Sequence, residues 1–578
     1  MSQPALPISV DRRGRRPALW DAVAGLLIVG LFAFLAEAGR GFVEPLAQLR
    51  AQTISLDPAY LPDYAARTAL RMLAAMVLSL LFTFTYATWA AKSRRAEAIL
   101  VPLLDILQSV PILGFISVTV VFFMSLAPHL ALGAECAAIF AIFTSQAWNM
   151  AFSFYQSLRT VPEDLVEVSR GYRFGAWMRF WRLEVPFALP QLVWNMMVSM
   201  SGGWFFVVAS EAISVGKTTV ILPGIGSYIA VAVEQRSLGA IGWAIGAMLI
   251  VILVYDQLLF RPLVAWADRF RVEQEAGGNA GAPRSWVLTA LRRSRLAAWL
   301  ATPVAMAMRW SYRALPAREA AADINATGAG RPVLDRAWPW LMAAIVALAL
   351  WRVAIFVGTG VTWAEAGTAM LLGLVTMLRV FVLILLASLV WVPVGVWIGL
   401  RPGVARIVQP VAQFMAAFPA NLFFPVAVSA IVMFRLDPDV WLSPLMILGT
   451  QWYILFNVIA GAAAMPGELR DIGTNLRIRG WLWWRRVALP GIFPFYVTGA
   501  IAASGGSWNA SIVAEVASWG GERLQAHGIG AYIARATDAG DYHRIVLGIA
   551  VMAGFVVLIN RVFWRPLYRY AERRFRLT

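Results

Sequence analysis

The stretch VPEDLVEVSRGYRFGAWMRFWRLEVPFALP at 161–190 returns without a gap as MPGELRDIGTNLRIRGWLWWRRVALPGIFP at 465–494. The copies share Pro162/Pro466, Leu165/Leu469, Arg173/Arg477, Trp177/Trp481, Arg182/Arg486, Pro186/Pro490 and Pro190/Pro494. Other pairs flank them. Thr68-x-x-Arg71 matches Thr376-x-x-Arg379, and Pro102 and Pro111 match Pro410 and Pro419. Trp204-x6-Glu211 matches Trp508-x6-Glu515, and the GIGSYI at 224–229 matches the GIGAYI at 528–533. Internal self-similarity on this scale is one folding unit used twice. Whatever the first copy folds into, the second must fold into as well.

That unit belongs in a bilayer. Of the 578 residues 60% are hydrophobic and only 14% charged, where soluble domains have about 45–50% apolar and about 25% charged residues. Mean hydropathy is +0.68. Runs of about 20 apolar residues, the length that crosses a hydrocarbon core, are predicted near 18–38, 64–90, 103–126, 134–156, 188–211 and 239–260. A second set is predicted near 336–357, 369–400, 411–434, 440–462, 492–514 and 545–564. The fold class is therefore an all-α polytopic membrane protein with about twelve spans. An even number of spans per copy makes the duplication parallel rather than inverted. The first copy is expected over 1–274 and the second over 336–578. The basic start before Ala18 resembles a signal peptide, but the run from Ala18 to Ala38 is long enough to span and is read as a retained first helix. Arginines crowd alternate loops, including Arg159–Arg182, Arg470–Arg486 and Arg561–Arg576. By the positive-inside rule these loops and both termini are cytoplasmic.

Between the copies, 275–335 reads as a cytoplasmic linker. Flexible AGGNAGAP and NATGAGRP ends enclose a stretch that mixes Arg with Leu, Trp and Met. A further span there would invert the second copy against its arginine bias, so an interfacial amphipathic helix is expected.

Several chemistries are set aside by the residues. The net charge of +17 is placed on anionic lipid rather than nucleic acid. A single cysteine, Cys136, allows no cysteine metal cluster, and His129, His527 and His543 show no metal-ligand spacing, so no metal is expected. The triplet Gly216-Lys217-Thr218 imitates a phosphate loop. However, such a loop needs an earlier glycine, and Glu211 stands there. SMSGGW (199–204) and ASGGSW (503–508) imitate an ATPase signature but lie inside apolar runs, where small residues serve helix packing. No cofactor is expected on this chain.

The repeated loop carries the function. Pro162, then Glu163 and Asp164, suit a helix start. Leu165, Val168 and Tyr172 share a face, as do Leu469, Ile472 and Leu476. Each helix carries one acid, Glu167 or Asp471, and Gly171 follows in the first copy. A short surface helix with an apolar face suits a partner's groove.

This segment resembles the cytoplasmic EAA loop of ABC importer permeases. Glu167-Val168-Ser169 and Asp471-Ile472-Gly473 stand where that family has Glu-Ala-Ala, and Val185-Pro186 and Leu489-Pro490 stand where it has Leu-Pro. Arg173 and Arg477 replace the family's glycine, leaving Gly171 or Gly175 to supply the bend in the first copy and only Gly480 nearby in the second. The wider pattern is similar to permeases of the nitrate/sulfonate/taurine type. The resemblance implies two type I permease repeats of six helices fused in one chain. It implies two cytoplasmic ABC ATPase subunits carrying ATP-Mg, a periplasmic substrate-binding protein, and a bacterial inner-membrane location. It also implies that span five lines the pathway, which makes Ser201, Gly202, Gly203, Ser504, Gly505 and Gly506 pathway candidates. Arg71 and Arg379 either snorkel to the outer interface or guide an anion. The alternative is a secondary transporter of the major facilitator kind. It would need a Gly/Asp/Arg-rich loop between spans two and three, where AAKSRRAEA (90–98) stands.

Overall fold

The computed structural model describes residues 17–40, 45, 53–109, 112–128, 130–215, 218–270, 285–314 and 332–575. Helix occupies every stretch where an apolar run predicts a span. The first copy runs α1 (Pro17–Arg40), α2 (Pro58–Lys92), α3 (Arg94–Ser109), α4 (Ile112–Leu126), α5 (Leu132–Arg159), α6 (Glu163–Gly171) and α7 (Ala176–Glu211). A hairpin of β1 (Ala212–Val215) and β2 (Thr218–Ile221) follows, then α8 (Ile225–Glu234) and α9 (Leu238–Phe270). The linker holds α10 (Trp286–Arg293) and α11 (Arg295–Ala314). The second copy runs α12 (Pro332–Gly358), α13 (Trp363–Gly399), α14 (Pro402–Ala417), α15 (Phe424–Met433), α16 (Pro438–Leu448), α17 (Gln451–Ala463), α18 (Gly467–Asn475) and α19 (Gly480–Ala514). It closes with β3 (Val516–Trp519), β4 (Glu522–Gln525), α20 (Ile529–Ala539) and α21 (Tyr542–Arg574).

Among the described residues seven helices are long and apolar enough to cross a membrane, or nine if each bent pair is one span. All twelve predicted runs fall on helices; two of them are bent pairs, and others, such as Pro332–Gly358, include side chains outside the described residues. Pro419 drives Phe418 out of the helical region (φ −73°, ψ 130°), as the ring of a proline does to the residue before it. The α14–α15 pair is bent there by 75°, and Pro438–Leu448 meets Gln451–Ala463 at 45°. In α5 the buried Glu135, Thr144, Gln146 and Ser153 break up the apolar run. The two antiparallel hairpins, pairing Ala212 with Ile221 and Val516 with Gln525, were not foreseen. Their strands are only four residues each.

The bundle has two distinguishable ends. Arg71 near the start of α2, Glu135 at the start of α5 and Glu211 at the end of α7 are bonded together. The β-bridge between Pro45 and Leu130 brings the end of α1 to the start of α5. These termini and the hairpins define a hairpin end, and α6 lies at the opposite, loop-helix end. Inside each copy α5 packs on α2 and α7, and α17 packs on α13 and α19. The copies meet where α7 touches α14 and where α4 touches α19 and α21, and one hydrophobic core runs through both. Asn421 Nδ2 donates to Phe205 O across this junction at 3.0 Å.

Candidate functional site: loop helices and buried charge knots

Both repeated loops fold as helix, turn and rod. Pro162 precedes α6 in an extended conformation, and Glu163 and Asp164 occupy the first turn. Ser169 is buried, while Glu167, Val168, Gly171 and Tyr172 are exposed and Leu165 is half-buried. The exposed apolar surface is substantial, with Val168 at 43% and Tyr172 at 64%. In α18 Asp471 is exposed and Gly473 is buried, and Leu476, just past its end, is exposed; the side chains of Leu469 and Ile472 lie outside the described residues. Among the described residues each loop thus offers an exposed acid and at least one exposed apolar side chain, Val168 and Tyr172 in the first and Leu476 in the second, with a small residue, Ser169 or Gly473, buried.

The turn after each helix corrects the sequence reading. Neither Gly171 nor Gly175 makes the bend. Arg173 (φ 54°) and Arg477 (φ 52°) adopt the left-handed conformation themselves. Phe174 N donates to Ser169 O at 3.0 Å, and Ile478 N to Gly473 O at 2.9 Å, which is the closure of a Schellman cap. Both loops therefore keep one shape despite the missing glycine. A non-glycine residue pays about 1–2 kcal/mol for this conformation. Replacing Arg477 by Gly should leave transport within about twofold of the parent, because glycine adopts positive φ freely. Arg477→Val should abolish coupling, because a β-branched residue is a severe outlier there. Transport by the two variants at equal abundance checks this.

At the hairpin end each copy holds a charge knot. Arg71 is 1% exposed. Its Nε and Nη2 donate to the Glu135 carboxylate at 2.6 and 2.7 Å, and its Nη1 donates to Glu211 Oε1 at 2.7 Å and to Pro223 O at 3.0 Å. Thr68 Oγ1 donates to Glu211 Oε1 at 2.7 Å and accepts from Ile225 N at 3.0 Å. Gly226 N donates to Glu211 Oε2 at 2.7 Å, so this carboxylate also satisfies the free N–H groups at the start of α8. The second copy repeats the plan. Arg379 Nη1 donates to Glu515 Oε1 at 3.0 Å, Thr376 Oγ1 donates to the same oxygen at 2.8 Å, and Ala531 N donates to Glu515 Oε2 at 3.0 Å. There the second acid is Asp439, 3.5 Å from Arg379 Nη2 and also bonded to His527 Nδ1 at 2.8 Å.

The snorkelling expected of Arg71 and Arg379 is therefore not what the fold does: their guanidinium groups turn inward onto carboxylates. A Cβ on Gly224 or Gly528 would overlap the Glu211 or Glu515 carboxylate, which is why the chain returns as Gly-Ile-Gly in both copies. The Thr-x-x-Arg, Trp-x6-Glu and Gly-Ile-Gly repeats were each legible in the sequence. Nothing in it said that they form one site.

The span-five triplets divide by what they face. A Cβ on Gly203 would overlap the Gln146 amide, and one on Gly506 would overlap Thr450, whereas Gly202 and Gly505 border open space. Ser201 Oγ donates to Ala416 O in the other copy, and Ser504 is buried. The two Ser-Gly-Gly triplets are also offset by one position. Gly203 meets Gln146 where Ser507 bonds Thr450 (3.0 Å), in keeping with the Trp204/Trp508 pairing. Gly216 and Lys217 lie outside the described residues, but the triplet they begin joins two strands rather than the strand and helix of a phosphate loop.

Comparison with known proteins places this geometry. A family model described as "Binding-protein-dependent transport system inner membrane component" matches residues 84–261 and again 391–577, more than half of the chain. The chain is similar to the bicarbonate transport system permease protein CmpB of Synechococcus elongatus, with 26% identity over 31% of this chain and 58% of that protein. It resembles the nitrate import permease protein NrtB of Leptolyngbya laminosa, with 25% identity over 32% of this chain and 62% of that protein. It is 22% identical to the glycine betaine transport system permease protein OpuAB of Bacillus subtilis, over 46% of this chain and 78% of that protein. The chain thus spans under two thirds of the length of the first two relatives. The doubled match favours a pair of permease repeats over the major facilitator alternative.

Proposed function

Because this chain belongs to the family of binding-protein-dependent transport system inner membrane components, matched once in each copy, we propose that it supplies both permease halves of an ATP-driven importer. The family makes it a multi-pass inner-membrane transport component that works with a binding protein. On our reading, two separate cytoplasmic ATPase subunits, charged with ATP-Mg, each seat one loop helix. The residues proposed for the first contact are Leu165, Glu167, Val168, Gly171 and Tyr172, and for the second Leu469, Asp471, Ile472 and Leu476. The solute is proposed to be a small anion or organic molecule such as nitrate, sulfonate, taurine or bicarbonate. Bicarbonate and nitrate are the solutes after which two of the similar permeases are named; sulfonate and taurine follow from the resemblance of the sequence pattern.

The observation that carries this reading is the pair of exposed acid-and-apolar loop helices, built alike and both at one end of the copies. Closure of the ATPases would then rock the two halves between inward-open and outward-open arrangements, with Ser201, Gly202 and Gly505 on the moving junction. A direct test uses the purified chain. Alone it should release no phosphate from ATP, and with its ATPase subunits reconstituted in liposomes it should stimulate hydrolysis several-fold. Hydrolysis by the isolated chain, with other proteins shown absent, would overturn the proposal.

A further inference from the structure

We propose that α10 and α11 form a strap that binds anionic phospholipid at the loop-helix end and holds the first loop, with no equivalent on the second.

The strap is pinned at both ends. The Asp21 carboxylate, near the start of α1, accepts from Ser294 Oγ at 2.8 Å, Arg295 N at 2.6 Å and Leu296 N at 3.2 Å. The Arg293 guanidinium lies 5.5 Å from the Trp20 ring. At the far end Trp177 Nε1, in the rod that follows α6, donates to Ser311 Oγ at 3.0 Å, and Arg182 stacks on Tyr312 at 5.3 Å. Both anchors lie at the same end of the bundle. The Pro45–Leu130 bridge and the Arg71–Glu135–Glu211 knot put the end of α1, the start of α5 and the end of α7 together, so the starts of α1 and α7 share the other end. The 20 residues of α11 cover about 30 Å. They run along the membrane plane between these anchors rather than across it.

The outer face of α11 is made for a lipid interface. Leu296, Trp299, Leu300 and Trp310 recur on one face at helical spacing, with Trp299 72% and Trp310 71% exposed. Arg295 and Arg309 are exposed on the flank of that stripe. Arg292, at the elbow between the helices, is half-buried, with its Nε and Nη2 unpartnered among the described residues. Exposed arginines beside interfacial tryptophans fit phosphate headgroups over acyl chains. The second loop has no such brace among the described residues: Trp481, the counterpart of Trp177, is 74% exposed against 38%. The lipid surface thus reaches the first loop through Ser311 and Tyr312 and leaves the second untouched.

The test needs neither solute nor ATPase, so its failure would leave the permease reading standing. The full chain is placed in nanodiscs of phosphatidylcholine alone or with about 30% phosphatidylglycerol, and hydrogen–deuterium exchange is followed over 286–314, 161–182 and 465–486. Anionic lipid should slow exchange in the first two segments by roughly threefold or more, an opening equilibrium shifted by docking, and leave the third unchanged. Arg295→Gln/Arg309→Gln should erase the difference. Ser311→Ala/Tyr312→Ala should keep the slowing in 286–314 and lose it in 161–182. Equal exchange in both disc types would overturn lipid binding. Slowing of 465–486 to the same degree, or a loop still protected in the Ser311/Tyr312 variant, would overturn the strap.

Discussion

Reversing both loop acids, Glu167→Lys with Asp471→Lys, should reduce transport at least ~10-fold while the protein inserts and accumulates normally. Both side chains are exposed and neither takes part in the buried packing, so the bundle does not depend on them. At the proposed contact, however, each would present a like or unpaired charge to a surface built for the opposite one. Such juxtaposition costs several kcal/mol in protein interfaces, and every ~1.4 kcal/mol is tenfold in binding. The fused chain allows each loop to be altered alone, which a pair of identical subunits does not. The single variants should separate the contributions of the braced first loop and the unbraced second. The measurements are solute uptake, stimulation of the ATPase and its retention on the purified permease. Normal uptake by the double variant would remove these acids from the coupling role and leave the family membership standing.

Substituting Arg71 by Met should destabilise the first half by about 3–5 kcal/mol, the cost of leaving buried charges without their partner. The variant strands the Glu135 and Glu211 carboxylates, both buried, and removes four hydrogen bonds donated by Arg71. Arg71→Met with Glu135→Gln and Glu211→Gln should recover much of the loss, since a neutralised site tolerates the missing cation. Arg379→Met should be milder. Arg379 is part-buried and Asp439 keeps its His527 partner and more solvent. Thermal unfolding in one detergent and abundance in the membrane read both series. Equal losses for Arg71→Met and Arg379→Met would contradict the difference in burial, and wild-type stability of Arg71→Met would remove the knot as a support of the fold.

The amino-acid sequence by itself determined the membrane class, the parallel duplication and the position of both loop helices. These are signals that run along the chain. An apolar run, a proline beside two acids, or Val168 four residues before Tyr172 states its local structure without reference to anything distant. The tertiary structure alone decided what the charges do. Arg71 lies 64 residues from Glu135 and 140 from Glu211, and an arginine in an apolar run reads as snorkelling until its partners are found. The same holds for Arg173 and Arg477. Residue type argued against a left-handed turn, and the six-residue closure onto Ser169 and Gly473 imposed it. Two of the predicted spans are bent rather than straight, one because Pro419 breaks the helix at Phe418, and buried polar groups interrupt the apolar run of another. Hydropathy reports how apolar a stretch is. What an arginine, a glycine or a proline means depends on which surface the folded chain brings against it.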